Sequence, residues 1–169
     1  DSEVPIVFYG YDIEYDPLTF IINDSPESGI VSGTDNVIRY IPNENYNGQD
    51  SFTFVSNDGQ YSSNPALISL TINPVNDAPT LVDIEEQTID EDTDLVLIID
   101  GEDIDGDDFF YTVTTDVNVE SIVITDSLLT ISPISDMFGE ITAIVTISDG
   151  ELQNSDTFSI SVLNVNDAP

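Results

Sequence analysis

Sliding the sequence against itself by 91 positions lays Asp12-x-Glu14-x-Asp16 on Asp103-x-Asp105-x-Asp107. The same shift puts Leu18 and Phe20 on Phe109 and Tyr111, Pro42 on Pro133, Gly48 on Gly139, and Asp58-Gly59 on Asp149-Gly150. One residue is then lost, and Val75-Asn76-Asp77-Ala78-Pro79 returns 90 positions later as Val165 to Pro169. Ordered matches of turn residues at one spacing mark an internal repeat. A chain of 169 residues therefore reads as two small units, 1–79 and 80–169, each able to enclose one core. The registration sets Asp1 against Asp92, so counterparts of Thr80–Glu91 are missing ahead of the first repeat. That segment is expected to supply the first strand of the second repeat. The first repeat then either lacks an edge strand or borrows one, a strand-exchanged pair being one outcome.

The local pattern is strand throughout. Val4–Tyr9, Leu18–Ile22, Asn36–Ile41, Ser51–Ser56 and Ala66–Ile72 are apolar or alternating runs separated by Gly, Pro, Asn and Asp. In the last of these Ile68, Leu70 and Ile72 share one face, and Phe158, Ile160 and Val162 repeat it. No capped 3.6-residue pattern of useful length competes. Period two and turns every 8–12 residues predict a β-sandwich, with seven strands expected in a complete copy. The core of the first repeat is aromatic at Phe52 and Phe54. The second has Ala143 and Val145 there, with Phe109, Phe110 and Met137 expected to compensate.

Charge narrows the function. Thirty-four carboxylates face a single basic residue, Arg39, and the net charge is −33. Such self-repulsion opposes a compact state unless cations relieve it, and it makes nucleic acid a poor partner. There is no histidine, hence no near-neutral acid–base group, and no cysteine, hence no disulfide or thiolate site. A cysteine-free acidic chain fits an exported bacterial protein. No stretch approaches the ~20 apolar residues of a membrane span. Arg39 is expected to find a carboxylate partner.

Asp103-Ile-Asp-Gly-Asp107 places oxygen donors at alternate positions, and Gly106 permits the turn. A hard cation such as Ca2+ takes six to eight oxygens, and this spacing offers them. The first copy keeps Asp12, Glu14 and Asp16 but has Tyr15 for the glycine. The plain alternative is a solvated turn, since Asp and Gly favour turns for local reasons. Repetition in register and the lack of basic partners favour the cation. Asp77 closes the first repeat, with Asn76 before it and Pro79 holding Ala78 extended. Asn76, Asp77, Glu91, Asp103 and Asp105, with Asp107 nearby, are the candidate ligands at that inner junction. Asp167 is expected to face solvent or a weakly held ion.

The order of these motifs resembles the bacterial cadherin-like and immunoglobulin-like tandem repeats of large surface and secreted proteins. The segments that carry the likeness are Asp103-Ile-Asp-Gly-Asp-Asp-Phe-Phe-Tyr111, Asp12-Ile-Glu-Tyr-Asp-Pro-Leu-Thr-Phe20, the Tyr40 to Phe54 stretch, the two Asp-Gly pairs and VNDAP. The resemblance implies tandem Greek-key β-sandwiches arranged end to end, calcium at or near the junctions, and an extracellular setting. It carries calcium roles best to Asp103, Asp105 and Asp77, and also to Asp12, Glu14 and Asn76. Copy one departs at Glu14 and Tyr15, and copy two has Asp136-Met-Phe-Gly139 in place of Asn-Tyr-Asn-Gly.

Three functions compete. The first is a non-catalytic structural repeat of an extracellular adhesin or secreted protein, partnered by neighbouring repeats and rigidified by interdomain calcium. The second is a carbohydrate- or protein-binding module, or a homotypic adhesion surface. Exposed aromatics would mark it, with Tyr9, Tyr11, Tyr15, Tyr46 and Tyr61 as candidates against ordinary packing at strand ends. The third, a glycosidase with paired carboxylates, finds little room for a cleft. The sequence favours the first, without catalysis or membrane insertion.

Overall fold

We describe residues 3–166 of a computed structural model of the chain; Asp167 lies outside them. The chain divides into two compact units, Asp1–Val75 and Asn76–Pro169. The first contains β1 (Val4–Val7), β2 (Thr19–Asp24), β3 (Gly29–Thr34), β4 (Val37–Pro42), β5 (Gly48–Asn57) and β6 (Ala66–Ile72). They form two antiparallel sheets, β1-β4-β3 and β2-β5-β6. The chain crosses between the sheets after β1, β2 and β4, in the Greek-key manner. β3 was not expected, because its two glycines read as turn residues.

The second unit contains β7 (Thr80–Leu81), β8 (Gln87–Asp90), β9 (Leu95–Ile98), β10 (Gly101–Glu102), β11 (Phe110–Thr115), β12 (Ser121–Thr125), β13 (Leu128–Ser132), β14 (Gly139–Ser148) and β15 (Gln153–Leu163). Its larger sheets are β11-β14-β15-β8 and β12-β13-β9, with a short β10-β7 pair. These nine strands among the described residues exceed the seven expected. One cause is that Thr80–Glu91 yields two strands. β7 pairs with β10, and β8 pairs in parallel with β15. In the first unit β6, the counterpart of β15, is the outer strand of its sheet among the described residues.

The repeat reaches down to single backbone angles. Positive φ occurs at Tyr15 and Gly106, Asp35 and Asp126, Asn45 and Asp136, Gly48 and Gly139, and Gly59 and Gly150. Each pair is separated by the same shift of 91. Gly, Asn and Asp tolerate this region, so four of the five pairs hold residues suited to it.

The two cores are filled differently on this shared backbone. Phe52 lies opposite Ile68 in the first unit, and Ala143 opposite Phe158 in the second. The large ring has moved across the strand pair, so volume is kept. Phe158 thus fills the space left by Ala143. Phe110, expected there, is 55 % exposed, while Met137 packs against the core. Phe8 stacks on Phe54 with ring centroids 4.0 Å apart in the first unit. The matching positions in the second are Ile99 and Val145, both fully buried.

The sharpest difference is polar. Tyr40 and Asp50 are buried in the first unit, and their counterparts are Ile131 and Ile141. The Tyr40 hydroxyl donates to Asp50 Oδ2 at 2.7 Å. The backbone N–H groups of Glu27, Ser28 and Ser51 donate to the same carboxylate. Gly29 makes this approach feasible, because a Cβ there would meet the Tyr40 ring at 2.6 Å. Burial is the largest single influence on the Asp50 pKa and raises it. The Tyr40 hydroxyl and the three N–H groups together outweigh it, so the pKa falls below the ordinary 3.8. Burial first, and then Asp50, push the Tyr40 pKa up.

Tyr40→Phe should destabilise the first unit by about 2 kcal/mol, the usual range for a hydrogen bond to a charged group. Because Asp50 has a depressed folded pKa, its stabilisation is present above pH 3.8 and is lost as pH falls through the folded value. Urea unfolding between pH 7 and pH 2 checks both. The Tyr40→Phe protein should lose less stability on acidification than the parent.

Candidate metal centre

The loop between β10 and β11 folds around Asp103. Its Oδ1 accepts the N–H of Asp105 at 2.9 Å and of Asp107 at 3.4 Å. Its backbone oxygen accepts the N–H of Gly106 at 3.2 Å. One carboxylate oxygen is therefore consumed in shaping the turn. The other, Oδ2, is buried and has no hydrogen-bond partner. A bare buried carboxylate oxygen is expensive unless a cation faces it.

The leading segment of the unit is tied to this loop and to a second one. The Asp77 N–H donates to Asp105 Oδ2 at 2.7 Å. The Asn76 side-chain amide donates to Asp149 Oδ2 at 2.9 Å. These two bonds give Asn76 and Asp77 to the second unit, ahead of the boundary expected after Pro79. The other oxygen of Asp149 accepts the N–H groups of Glu151 and Leu152. The Leu152 N–H, and next the Asn76 amide, hold the Asp149 pKa below 3.8 against desolvation. The sequence reading missed Asp149 as a member of this cluster. The repeated Asp-Gly pair was the available signal, and it was read only as a turn.

Glu91 stands elsewhere. It is buried, and its Oε1 accepts the Asn164 side-chain amide at 3.1 Å and the Val165 N–H at 2.6 Å. It therefore belongs with the chain leaving β15, not with Asp77 and Asp103 as expected. Its place is set by the parallel pairing of β8 with β15.

In the first unit Asp12 repeats the turn. Its Oδ1 accepts the N–H groups of Glu14 and Asp16, and its backbone oxygen accepts that of Tyr15. Among the described residues no three acidic side chains converge in a geometry able to hold a metal ion. Arg39 meets Glu3, the one ion pair among the described residues, and both side chains are about half exposed. Tyr9, Tyr11, Tyr15 and Tyr61 are strongly exposed, contrary to ordinary packing. Tyr46 does pack and donates to the Gln49 carbonyl.

Residues 1–71 and 76–162 each match the bacterial Ig domain family. The chain is a member of that family, a family of non-catalytic modules, and carries two copies. No curated protein matches it. Among solved structures it is similar to the EC1-2 fragment of human protocadherin-24. That likeness has a TM-score of 0.52 at 13 % identity, over 90 % of this chain and 85 % of that one. The EC1-3 fragment of Drosophila N-cadherin gives 0.46 at 15 % identity, over 91 % of this chain and 57 % of that one. An endo-fucoidan hydrolase of glycoside hydrolase family 107 gives 0.42 at 22 % identity, over 98 % of this chain. The chain spans only 27 % of that hydrolase's length. The likeness to protocadherin-24 concerns the fold alone. No helix among the described residues is long and apolar enough to cross a membrane.

Tyr15 and Gly106 share one backbone geometry, with φ of 67° and 79°. Tyr15→Gly should raise the stability of the first unit by about 1 kcal/mol, the penalty for holding a bulky residue there. Gly106→Ala should lower that of the second by a similar amount. Thermal melts of both variants check the pair.

Proposed function

We propose that this chain is a calcium-stiffened structural repeat of an extracellular bacterial protein, serving as a link in a stalk or spacer. The observation that carries the reading is the buried, unpartnered Oδ2 of Asp103 beside the Asn76–Asp77 segment. Asp103 would offer its free oxygen to the ion, and Asp105, Asp77, Asn76 and Asp107 would turn toward it on binding, since these acids do not converge on one point in the structure. Such donors are hard oxygens, which suit Ca2+. Bound calcium supplies positive charge that relieves carboxylate repulsion.

The chain's own residues do the rest. Asp103 closes the loop through Oδ1 and leaves Oδ2 for a cation. Asp105 and Asp149 grip the leading segment, and Pro79 keeps the residue before it extended. An ion at the loop restrains the segment through which one repeat joins the next. Glu91 applies the same principle to the chain leaving β15, through Asn164 and Val165. The extracellular setting accords with the bacterial Ig domain family and with the lack of cysteine.

Calcium titration of chelator-treated protein should raise the melting temperature of the second unit. At a hundredfold excess over Kd the gain is about 2.7 kcal/mol. Asp103→Asn should abolish the rise. Equal melting curves with calcium and with chelator would sink the reading.

A further inference from the structure

The loop that carries Asp12 also bounds an open depression of about 450 Å3, formed wholly within the first unit. Leu18, Phe8 and Phe20 supply its apolar lining. Gly10 lets the chain lie on that lining, since a Cβ there would meet Leu18 Cδ1 at 2.6 Å. Tyr9, Tyr11 and Tyr15 line the same depression with 85 %, 76 % and 85 % of their surface exposed. Tyr11 and Tyr15 stand at 85° to each other, ring centroids 6.4 Å apart, and so make a corner of two aromatic walls. Asp12, Asp16, Asp35 and the neutral Asn36 complete the lining, and no basic residue is among the lining residues.

Tyr15 needs an explanation that packing does not give. Of the five paired positive-φ positions it alone holds a residue other than Gly, Asn or Asp. Its ring is among the most exposed in the chain, so the strained backbone gains no core contact in return. Strain retained without a structural return points to a binding role.

We propose that this depression binds an organic ammonium group. The aromatic faces attract a cation through their quadrupoles, and three carboxylates add Coulomb attraction. The same carboxylates repel sulfated or uronic ligands. The second unit lacks the site, because Gly106 stands where Tyr15 does. This inference is independent of calcium at Asp103, which lies in the other unit.

The test is titration of the whole chain with tetramethylammonium, in chelator and at constant ionic strength. It is followed by the ring resonances of the tyrosines. Tyr9, Tyr11 and Tyr15 should shift saturably, while Tyr61 stays still. tert-Butanol, of similar shape but neutral, should bind ~10-fold more weakly. Tyr15→Gly, which suits the backbone, should weaken binding about fivefold with the fold intact. Asp35→Asn, which also tolerates its positive φ, should weaken it and reduce its salt dependence. A parallel titration with n-butylammonium separates a lysine-like amine from a quaternary headgroup. Equal response to tert-butanol or to a neutral disaccharide, or undiminished binding by Tyr15→Gly, would overturn the proposal.

Discussion

An excess of carboxylates without basic partners governs this molecule. With one arginine in the chain, and that one engaged with Glu3, salt bridges are not available to hold the remaining acids. The protein uses amide N–H groups in their place. Asp50 gathers three of them, Asp149 two and the Asn76 amide, and Glu91 takes Val165 N–H and the Asn164 amide. Asp156 accepts the Ile84 N–H, and Asp116 accepts that of Thr142. A hydrogen bond to an ionised acceptor is stronger than a neutral one and spends a donor that loops would otherwise leave to water. The acids are thus the fasteners of the loops. Asp103 is the instructive exception, since its Oδ2 is withdrawn from water and given no donor.

The two copies show which parts of the pattern are strict. Positive φ recurs at five paired turns, with Gly33 the departure since Ile124 does not share it, whereas the cores do not coincide in chemistry. Phe52 and Ile68 become Ala143 and Phe158, and Tyr40 and Asp50 become Ile131 and Ile141. Backbone geometry admits few residues at each turn. A core needs only its volume filled and its polar atoms paired, which many combinations satisfy.

Much of the fold was legible because it is local. β6 was read with correct bounds, since Ala66–Ile72 alternates cleanly and ends in turn residues. β3 was missed because Gly29 and Gly33 mask a strand whose neighbour, β4, supplies the ladder. The loop around Asp103 was legible for the same local reason: its hydrogen bonds span two to four residues. Glu91 is near Asp103 in sequence, and sequence alone does not separate the two. Its true partner Asn164 lies 73 residues away and is brought in by a parallel strand pair. Asp149 and Asn76, also 73 residues apart, were unreadable as a pair for that reason. The exposure of the tyrosines depended on loop packing, which no periodicity reports.

The different cores have a consequence for how such chains fold. Adjacent repeats of one backbone design are liable to exchange strands during folding, because each offers the other a fitting ladder. Here a strand carrying Asp50 laid into the second unit would sit among Ile131, Ile160 and Val162 with no tyrosine to receive it. A strand carrying Ile141 laid into the first would leave the N–H groups of Glu27 and Ser28 without their acceptor, and the Tyr40 hydroxyl with only the longer bond to the Ser28 carbonyl. Either hybrid buries an unpaired polar group. The Tyr40–Asp50 pair therefore makes either hybrid costlier than the native pairing.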